Sequence, residues 1–162
     1  MSGPFSPSNS IPAPGSAPAP ATIDCGQFWP ALDLDHLRQA IRIDQSVTSE
    51  RLRDVVENAA LDIMGELDSW KTQQEAAGYR SLADVPGRHS VGGKTDFTVR
   101  WHRAVTSVVA GDLADRQHAQ TVRSAGVERA EELAADIDVH RRNVTYAVRD
   151  FLGRTRIIAE VI

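Results

Sequence analysis

The feature that most constrains this fold is a long run, residues 49–77, in which apolar side chains recur at the spacing of an α-helix. Successive apolar positions lie three or one residues apart, so that they share one face of a helix and leave the opposite face polar. They are Leu52, Val55, Val56, Ala59, Ala60, Ile63, Met64, Leu67 and Trp70. Thr48 is the predicted N-cap and Gly78 the predicted C-cap of this run. The pattern predicts one long amphipathic helix.

Three further helices are predicted from similar spacing and from capping residues. A short helix follows the N-cap candidate Asp33 and ends near Ile43, a third covers residues 96–119, and a fourth covers residues 122–152. Gly65 lies inside the long helix, where glycine costs about 1 kcal/mol relative to alanine, and we expect it to allow a close helix crossing. The predicted fold class is all-α: a small helical bundle of one short and three longer helices, with an extended N-terminal arm and a C-terminal tail.

The beginning of the chain differs in character from the rest. Residues 1–23 hold no charged residue and six of the eight prolines, a composition that buries too little apolar area to offset its ordering entropy. We therefore predict a flexible Pro/Ala-rich arm over residues 1–26 and a helical domain over residues 27–153. The arm is either a dispensable tail or a segment that lies over a neighbouring subunit.

Residues 154–162 change character again and are predicted to form a docking tail. They are rich in β-forming aliphatic side chains, and the rest of the chain offers no other strand candidate. The tail either packs back on the bundle or docks on a partner as a strand or hook. Together with two aromatic residues at the start of the helical domain, it supplies the candidate partner-binding residues: Phe28, Trp29, Arg154, Arg156, Ile157, Ile158, Val161 and Ile162.

The segment from Gly87 to Thr95 is the closest approach to a phosphate-binding motif in the sequence. It ends in Gly-Gly-Lys-Thr, but a phosphate-binding loop places four residues between its first glycine and the Gly-Lys-Thr end, whereas five lie between Gly87 and Gly93. Residues 82–86, which precede it, do not form the buried parallel strand that such a loop follows. We therefore predict a surface loop between two helices rather than a nucleotide site.

Residue spacing also argues against catalysis, a cofactor or a metal. The five histidines share no metal-ligand spacing with one another or with the single cysteine, Cys25, and no nucleophile motif is present. One cysteine excludes an internal disulfide and fits the reducing cytoplasm, and no apolar run reaches the length of a membrane helix. We predict an assembly subunit that is not an enzyme and that uses no cofactor.

A helical DNA-binding regulator is the alternative interpretation. The short helix, turn and long helix over residues 33–77 superficially suit this class of protein. However, the net charge is −4 at pH 7 and no basic stripe marks a recognition face. The charge therefore favours an assembly role over DNA binding.

A series of short stretches recurs along the chain in a characteristic order and spacing. They are Phe28–Pro30 with Asp33, Arg38–Asp44, Val47–Thr48 with Arg51–Arg53, Glu66–Leu67 with Trp70, Ala76–Gly78, Leu82–Pro86, Arg103–Val105, Asp150–Arg156 and Glu160–Ile162. In this order and spacing the chain resembles the head completion proteins of temperate contractile-tailed phages. The resemblance covers about residues 27–162, and the proline-rich arm departs from the family's pattern because it is longer.

The resemblance implies a structural virion protein that is assembled in the host cytoplasm and joins the portal vertex after DNA packaging, in the neck between capsid and tail. Such proteins are similar to head–tail connector subunits, which form a ring, commonly of twelve copies, beneath the portal. The implied partners are other copies of the chain, the portal protein and a tail-completion or tail-terminator protein. Genomic DNA would pass through the lumen without sequence-specific binding, and no membrane is implied.

Overall fold

The computed structural model describes residues 21–41, 43, 47–124 and 127–153. Within these residues the chain folds as a helical bundle with two small strand pairs, which confirms the predicted all-α class. The helices are α1 (Leu34–Ile41), α2 (Ser49–Ala76), α3 (Asp96–Ser124) and α4 (Val127–Phe151). The strands are β1 (Thr22–Ile23), β2 (Leu32–Asp33), β3 (Ser90–Val91) and β4 (Lys94–Thr95).

Side chains cap the N-termini of α1 and α2, the two helix starts for which the sequence predicts a cap. At the start of α1, Asp33 Oδ1 accepts hydrogen bonds from the backbone N–H groups of Asp35 and His36, at 2.9 and 3.0 Å. At the start of α2, Thr48 Oγ1 accepts one from the N–H of Arg51 at 3.3 Å. Each bond satisfies a donor that the first helical turn leaves without an intrahelical partner, and so both helices begin where predicted.

The first strand pair was not predicted from the sequence. β1 and β2 are antiparallel, with Ile23 opposite Leu32, and the N–H of Leu34 donates to the carbonyl oxygen of Ala21 at 2.8 Å. Ile23 is buried. Residues 22–26 therefore belong to the folded region, and the arm predicted from composition extends too far into the chain.

The second strand pair is a hairpin formed by β3 and β4. Ser90 lies opposite Thr95, and Gly92 and Gly93 between the strands have φ angles of 59° and 74°. Two consecutive residues with positive φ suit the two-residue turns that connect antiparallel strands, and glycine adopts this conformation without steric cost. The expectation that the tail is the only strand candidate is therefore wrong, because two-residue strands are too short to show an alternating pattern.

α3 and α4 form an antiparallel helical hairpin, and α2 packs against both of them. Arg100 pairs with Asp150, and Arg103 Nη2 donates to Asn143 Oδ1 at 2.9 Å. As residue numbers increase along α3, the residues of α4 that they contact decrease in number, as in an antiparallel pair. The start of α3 and the end of α4 consequently lie at the same end of the bundle.

Six aromatic rings meet at this end and form an aromatic cluster. Its members are Phe28, Trp29, Trp70, Phe97, Trp101 and Phe151. Trp29 stacks on Trp101 with ring centroids 4.6 Å apart, and Trp101 Nε1 donates to the carbonyl oxygen of Pro30 at 3.2 Å. Aromatic pairs of this kind add about 1 kcal/mol to the gain from burial alone. The cluster fastens the N-terminal segment to α2, α3 and α4.

Gly65 does not lie at a helix crossing, contrary to the expectation from the sequence. The residue is on the exposed side of α2, and a methyl group at this position would meet no atom within 4 Å. The cost of glycine in the middle of a helix is therefore not offset by any close contact that the described residues make there.

Candidate functional site

Two of the predicted partner-binding residues lie inside the fold. Phe28 and Trp29 are 3% and 5% exposed and belong to the aromatic cluster, so their rings hold the N-terminal segment on the bundle. The other predicted residues lie outside the described part of the chain, and their contact with a partner stays a prediction. They are Arg154, Arg156, Ile157, Ile158, Val161 and Ile162.

The end of α4 fixes where the tail begins. The ring of Phe151, the last residue of α4, lies with its centroid 5.2 Å from that of Trp70 and 5.5 Å from that of Phe97. Gly153 has a φ of 63°, a left-handed conformation that ends helices. The tail therefore begins at the aromatic cluster, beside the start of α3.

Arg100 links this point to the β3–β4 hairpin. Its Nη1 lies 3.0 Å from Asp96 Oδ2, and its Nε lies 3.6 Å from Asp150 Oδ2. Asp96 is buried, and Gly87 packs so closely on it that a side chain at position 87 would overlap Asp96 Oδ1. The root of the hairpin, the start of α3 and the exit of the tail thus form one connected unit.

The Gly-rich segment folds into a hairpin whose two strands bond to each other. Ser90 Oγ donates to the carbonyl oxygen of Lys94 at 3.2 Å, and the N–H of Asp96 donates to the carbonyl oxygen of His89 at 3.0 Å. Val91 projects from the hairpin and is 66% exposed. The segment is thus an exposed connection between α2 and α3, in agreement with the spacing argument against a phosphate-binding loop.

A shallow groove of about 370 Å³ runs along one side of α2 near the aromatic cluster. Its lining residues are Cys25, Gly26, Gln27, Phe28, Trp29, Met64, Asp68, Lys71 and Glu75. Burial, and secondly the charge of Asp24, raise the pKa of Cys25 to about 11. The thiol therefore stays protonated at neutral pH, where it is a poor nucleophile.

The side of α2 opposite its buried stripe forms an acidic face. Its members are Asp54, Glu57, Asn58, Leu61, Gly65 and Asp68, all of them exposed. Glu57 pairs with Arg53 at 3.4 Å, whereas neither Asp54 nor Asp68 has an ion-pair partner among the described residues. Leu61 is the one large apolar side chain of the face. A helix face of this charge repels phosphate, so α2 is unsuited to be a DNA recognition helix.

From Val139 to Arg149, the outer side of α4 has the opposite charge and forms a basic face. Val139, Arg142, Tyr146 and Arg149 recur at intervals of three and four residues, and so they share one side of the helix. Val139 is 41% exposed, Arg142 is exposed, and the other two are partly exposed. In the described part of the chain neither arginine has an ion-pair partner, and Asp138 borders the face.

The described residues contain no group of three or more histidine, cysteine, aspartate or glutamate side chains that could hold a metal ion. His102 is partly buried on α3, and its pKa is lowered from the ordinary value by burial first and then by Lys94 and His36. In the same part of the chain, no helix is long and apolar enough to cross a membrane.

Leu61 and Val139 were not among the binding residues predicted from the sequence. Leu61 falls outside the apolar stripe of α2, and this departure from the helical pattern could have identified it from the sequence. Val139 gives a weaker signal, because the apolar positions of α4 are more scattered.

Known proteins that resemble this chain come from phage assembly. A model of the family described as phage head completion protein (GPL) matches residues 23–162. The head completion/stabilization protein of Escherichia phage P2 is 28% identical over 135 residues, which cover 83% of this chain and 79% of that protein. No solved structure matches the chain.

Proposed function

This chain belongs to the phage head completion protein family, and from that premise we propose that it is a structural virion subunit that completes the DNA-filled head. Copies of it form a ring on the portal, in the neck between capsid and tail. The ring, of twelve copies, extends the DNA channel, stabilises the packaged DNA and provides the platform for the tail. Its partners are further copies of the chain, the portal protein and a tail-completion or tail-terminator protein.

The observation that carries this proposal is the extent of the family match. It runs from residue 23 to residue 162 and so includes α1 to α4, strands β2 to β4, the second residue of β1 and the tail. The relative from phage P2 is named for head completion and stabilisation, which supports the same role for this chain.

The fold suits a subunit of a ring in two respects. Three long helices fastened at the aromatic cluster give each copy stiff walls. A subunit of a closed ring also needs two different surfaces, because it meets one neighbour with each. The acidic face and the basic face are two such surfaces.

The charge of the chain suits a channel through which DNA passes. The net charge is −4 at pH 7, and a negative wall repels the phosphate backbone instead of holding it. The duplex can then move along the channel without sequence-specific contacts.

Portal attachment falls to the tail in this proposal. Residues 154–162 follow Gly153, beside the ion pairs that Arg100 makes with Asp96 and Asp150. A partner that binds a segment beginning at this connected unit is thereby anchored to the whole bundle. Its aliphatic residues suit strand addition to the portal or packing in a groove of it.

Truncation of the chain after Gly153 tests this proposal. α4 ends at Phe151, so the truncated chain keeps every described helix and strand, and we expect its helical circular dichroism to be unchanged. We expect the truncated protein to be absent from purified DNA-filled heads. Because the head is then incomplete, its DNA should become accessible to nuclease.

Removal of residues 1–20 is the matched control, because it also deletes a terminal segment outside the described residues. Normal incorporation of this variant identifies the arm as dispensable, whereas reduced incorporation assigns it to a neighbouring subunit. Normal incorporation of the chain that ends at Gly153 would contradict docking by the tail. Infectious particles formed without any copy of the chain would contradict the head completion function itself.

A further inference from the structure

The acidic face contains two residues that packing among the described residues of one copy does not explain. Leu61 leaves 64% of its surface exposed on the side of α2 that faces away from the core. Gly65 follows one helical turn later, although alanine would favour the helix by about 1 kcal/mol and would meet no atom within 4 Å. A projecting leucine beside an open glycine has the shape against which the side chains of another helix pack.

The basic face of α4 matches the acidic face in charge. Arg142 and Arg149 carry the charge opposite to that of Asp54 and Asp68. Val139 supplies an exposed apolar side chain, as Leu61 does on the acidic face. Tyrosine and arginine are also the residue types enriched where protein surfaces meet, and Tyr146 lies between the two arginines along the helix.

We propose that the acidic face of one copy packs against the basic face of the next copy, and that this contact, repeated, closes the ring. The inference rests on the proposed function and adds to it the surfaces through which the subunits meet. A second copy is the occupant because it brings the complementary charge. Two acidic faces set against each other would bring Asp54 and Asp68 close to like charges, which disfavours a symmetric dimer through this face.

The positions of the two faces also favour a ring. α2 turns its buried stripe toward α3 and α4, so its acidic face points away from the basic face of the same copy. One copy therefore cannot pair its own two faces. A contact between two different surfaces leaves one surface of each kind free at every step, until rotation brings the last copy back to the first.

Cysteine crosslinking tests the contact directly. Leu61→Cys and Val139→Cys are placed together in a chain whose own cysteine is removed by Cys25→Ala. The chain is treated with a short bis-maleimide, both in purified DNA-filled heads and as concentrated protein. We expect a ladder of crosslinked multimers, because every copy carries one cysteine on each side of the contact.

Glu66→Cys with Val139→Cys is the matched control. Glu66 is exposed on α2 but lies on another side of the helix, so we expect several-fold less crosslinked product. A ladder no stronger than that of the control, in heads and in concentrated protein alike, would overturn the proposed contact. Heads from which the unmodified chain is absent would instead contradict the proposed function, and the two failures are thereby distinguished.

Charge reversal gives a second measurement. Asp54→Lys with Asp68→Lys reverses the acidic face, and Arg142→Glu with Arg149→Glu reverses the basic face. All four positions are exposed or partly exposed, so each double variant should keep the helical fold. We expect either double variant alone to lower incorporation into heads on the order of tenfold, as like charges oppose docking.

The chain with all four substitutions should recover most of its incorporation, because the two faces are complementary again. Glu66→Lys is the control and should leave incorporation unchanged. Full incorporation of both double variants, or no recovery in the combined chain, would contradict the pairing of these faces.

Discussion

The two sides of α2 differ in whether packing within the described fold accounts for their residues. On the inner side, every position of the apolar stripe from Leu52 to Trp70 is buried or partly buried against the rest of the bundle, and the fold of a single copy accounts for it. On the outer side, the described residues of one copy offer no such explanation for Leu61 and Gly65. The inner side thus accounts for the fold, and the outer side carries the residues of the proposed contact between copies.

This comparison distinguishes two kinds of apolar residue that composition treats alike. Leu61 and Leu67 are both leucines of α2, yet they are 64% and 0% exposed. A change at the first should affect assembly and a change at the second should affect folding. The predictions below test that division, in order of decreasing effect on stability.

The largest effect is expected at Trp70 on the inner side. Its ring contacts Phe28, Trp29, Phe97 and Phe151, so Trp70→Ala removes a large buried side chain and leaves a cavity. We expect the free energy of unfolding to fall by about 3–5 kcal/mol, measured by urea denaturation followed by circular dichroism. Leu61→Ala is the control on the outer side and should change it by less than about 0.5 kcal/mol. Equal losses at the two positions would break the comparison.

A smaller effect is expected at Thr48, the N-cap of α2, which belongs to neither the inner nor the outer side. Thr48→Ala removes the oxygen that accepts from the N–H of Arg51, and we expect a loss of about 1 kcal/mol in urea denaturation. Thr72→Ala is the control, because the Thr72 hydroxyl bonds only to the carbonyl of Asp68 within the same exposed stretch. An equal loss at Thr72 would show that the effect is not one of capping.

Substitution of Gly65 should raise stability while it impairs assembly. Gly65→Ala favours the helix by up to about 1 kcal/mol, and we expect a higher melting temperature in circular dichroism. Gly65→Leu should also fold, because the space beside the residue is open, but it fills the gap beside Leu61. We expect the Gly65→Leu protein to be largely absent from filled heads. A Gly65→Leu chain that assembles normally would weaken the division between the two sides.

The smallest effect concerns His102, at the border between buried and exposed parts of α3. Burial, and then Lys94 and His36, lower its pKa from 6.5, so the unfolded chain takes up the proton more readily than the folded chain. The stability that neutral His102 contributes is therefore present above about pH 6.5 and is lost as pH falls through the lower folded-state pKa. We expect the melting temperature to fall on acidification, and to fall less in His102→Gln. A slope in His102→Gln equal to that of the unmodified protein would contradict this role of His102.

The sequence predicts the local features of this fold well because each depends on residues close together in the chain. The caps at Asp33 and Thr48, the stripe of α2 and the glycine after it need no knowledge of distant contacts. The predicted boundary between α3 and α4 is wrong by about five residues, because residues 120–124 contain no glycine or proline to stop a helix. α3 extends to Ser124 instead of ending at residue 119, and α4 begins at Val127 instead of residue 122.

Features that depend on distant residues could not be predicted in the same way. β1 and β2 pair across a turn, and their two-residue strands carry no repeating pattern. Phe28 and Trp29 have the residue types of an interface anchor and of a core anchor alike, and only the meeting of α2, α3 and α4 places them in the core. The sequence shows the charged residues of the two outer faces. Which way each face points could be known only from the packing of α2 against α4.

The aromatic cluster also determines which part of the molecule tryptophan fluorescence reports on. The chain has three tryptophans, and Trp29, Trp70 and Trp101 all lie in the cluster, with Trp29 and Trp101 stacked. Intrinsic tryptophan fluorescence therefore reads one end of the bundle, while circular dichroism averages over all its helices. Coincident melting curves from the two methods would mean that the far end of the α3–α4 hairpin unfolds together with the cluster, and separate curves would give that end a stability of its own.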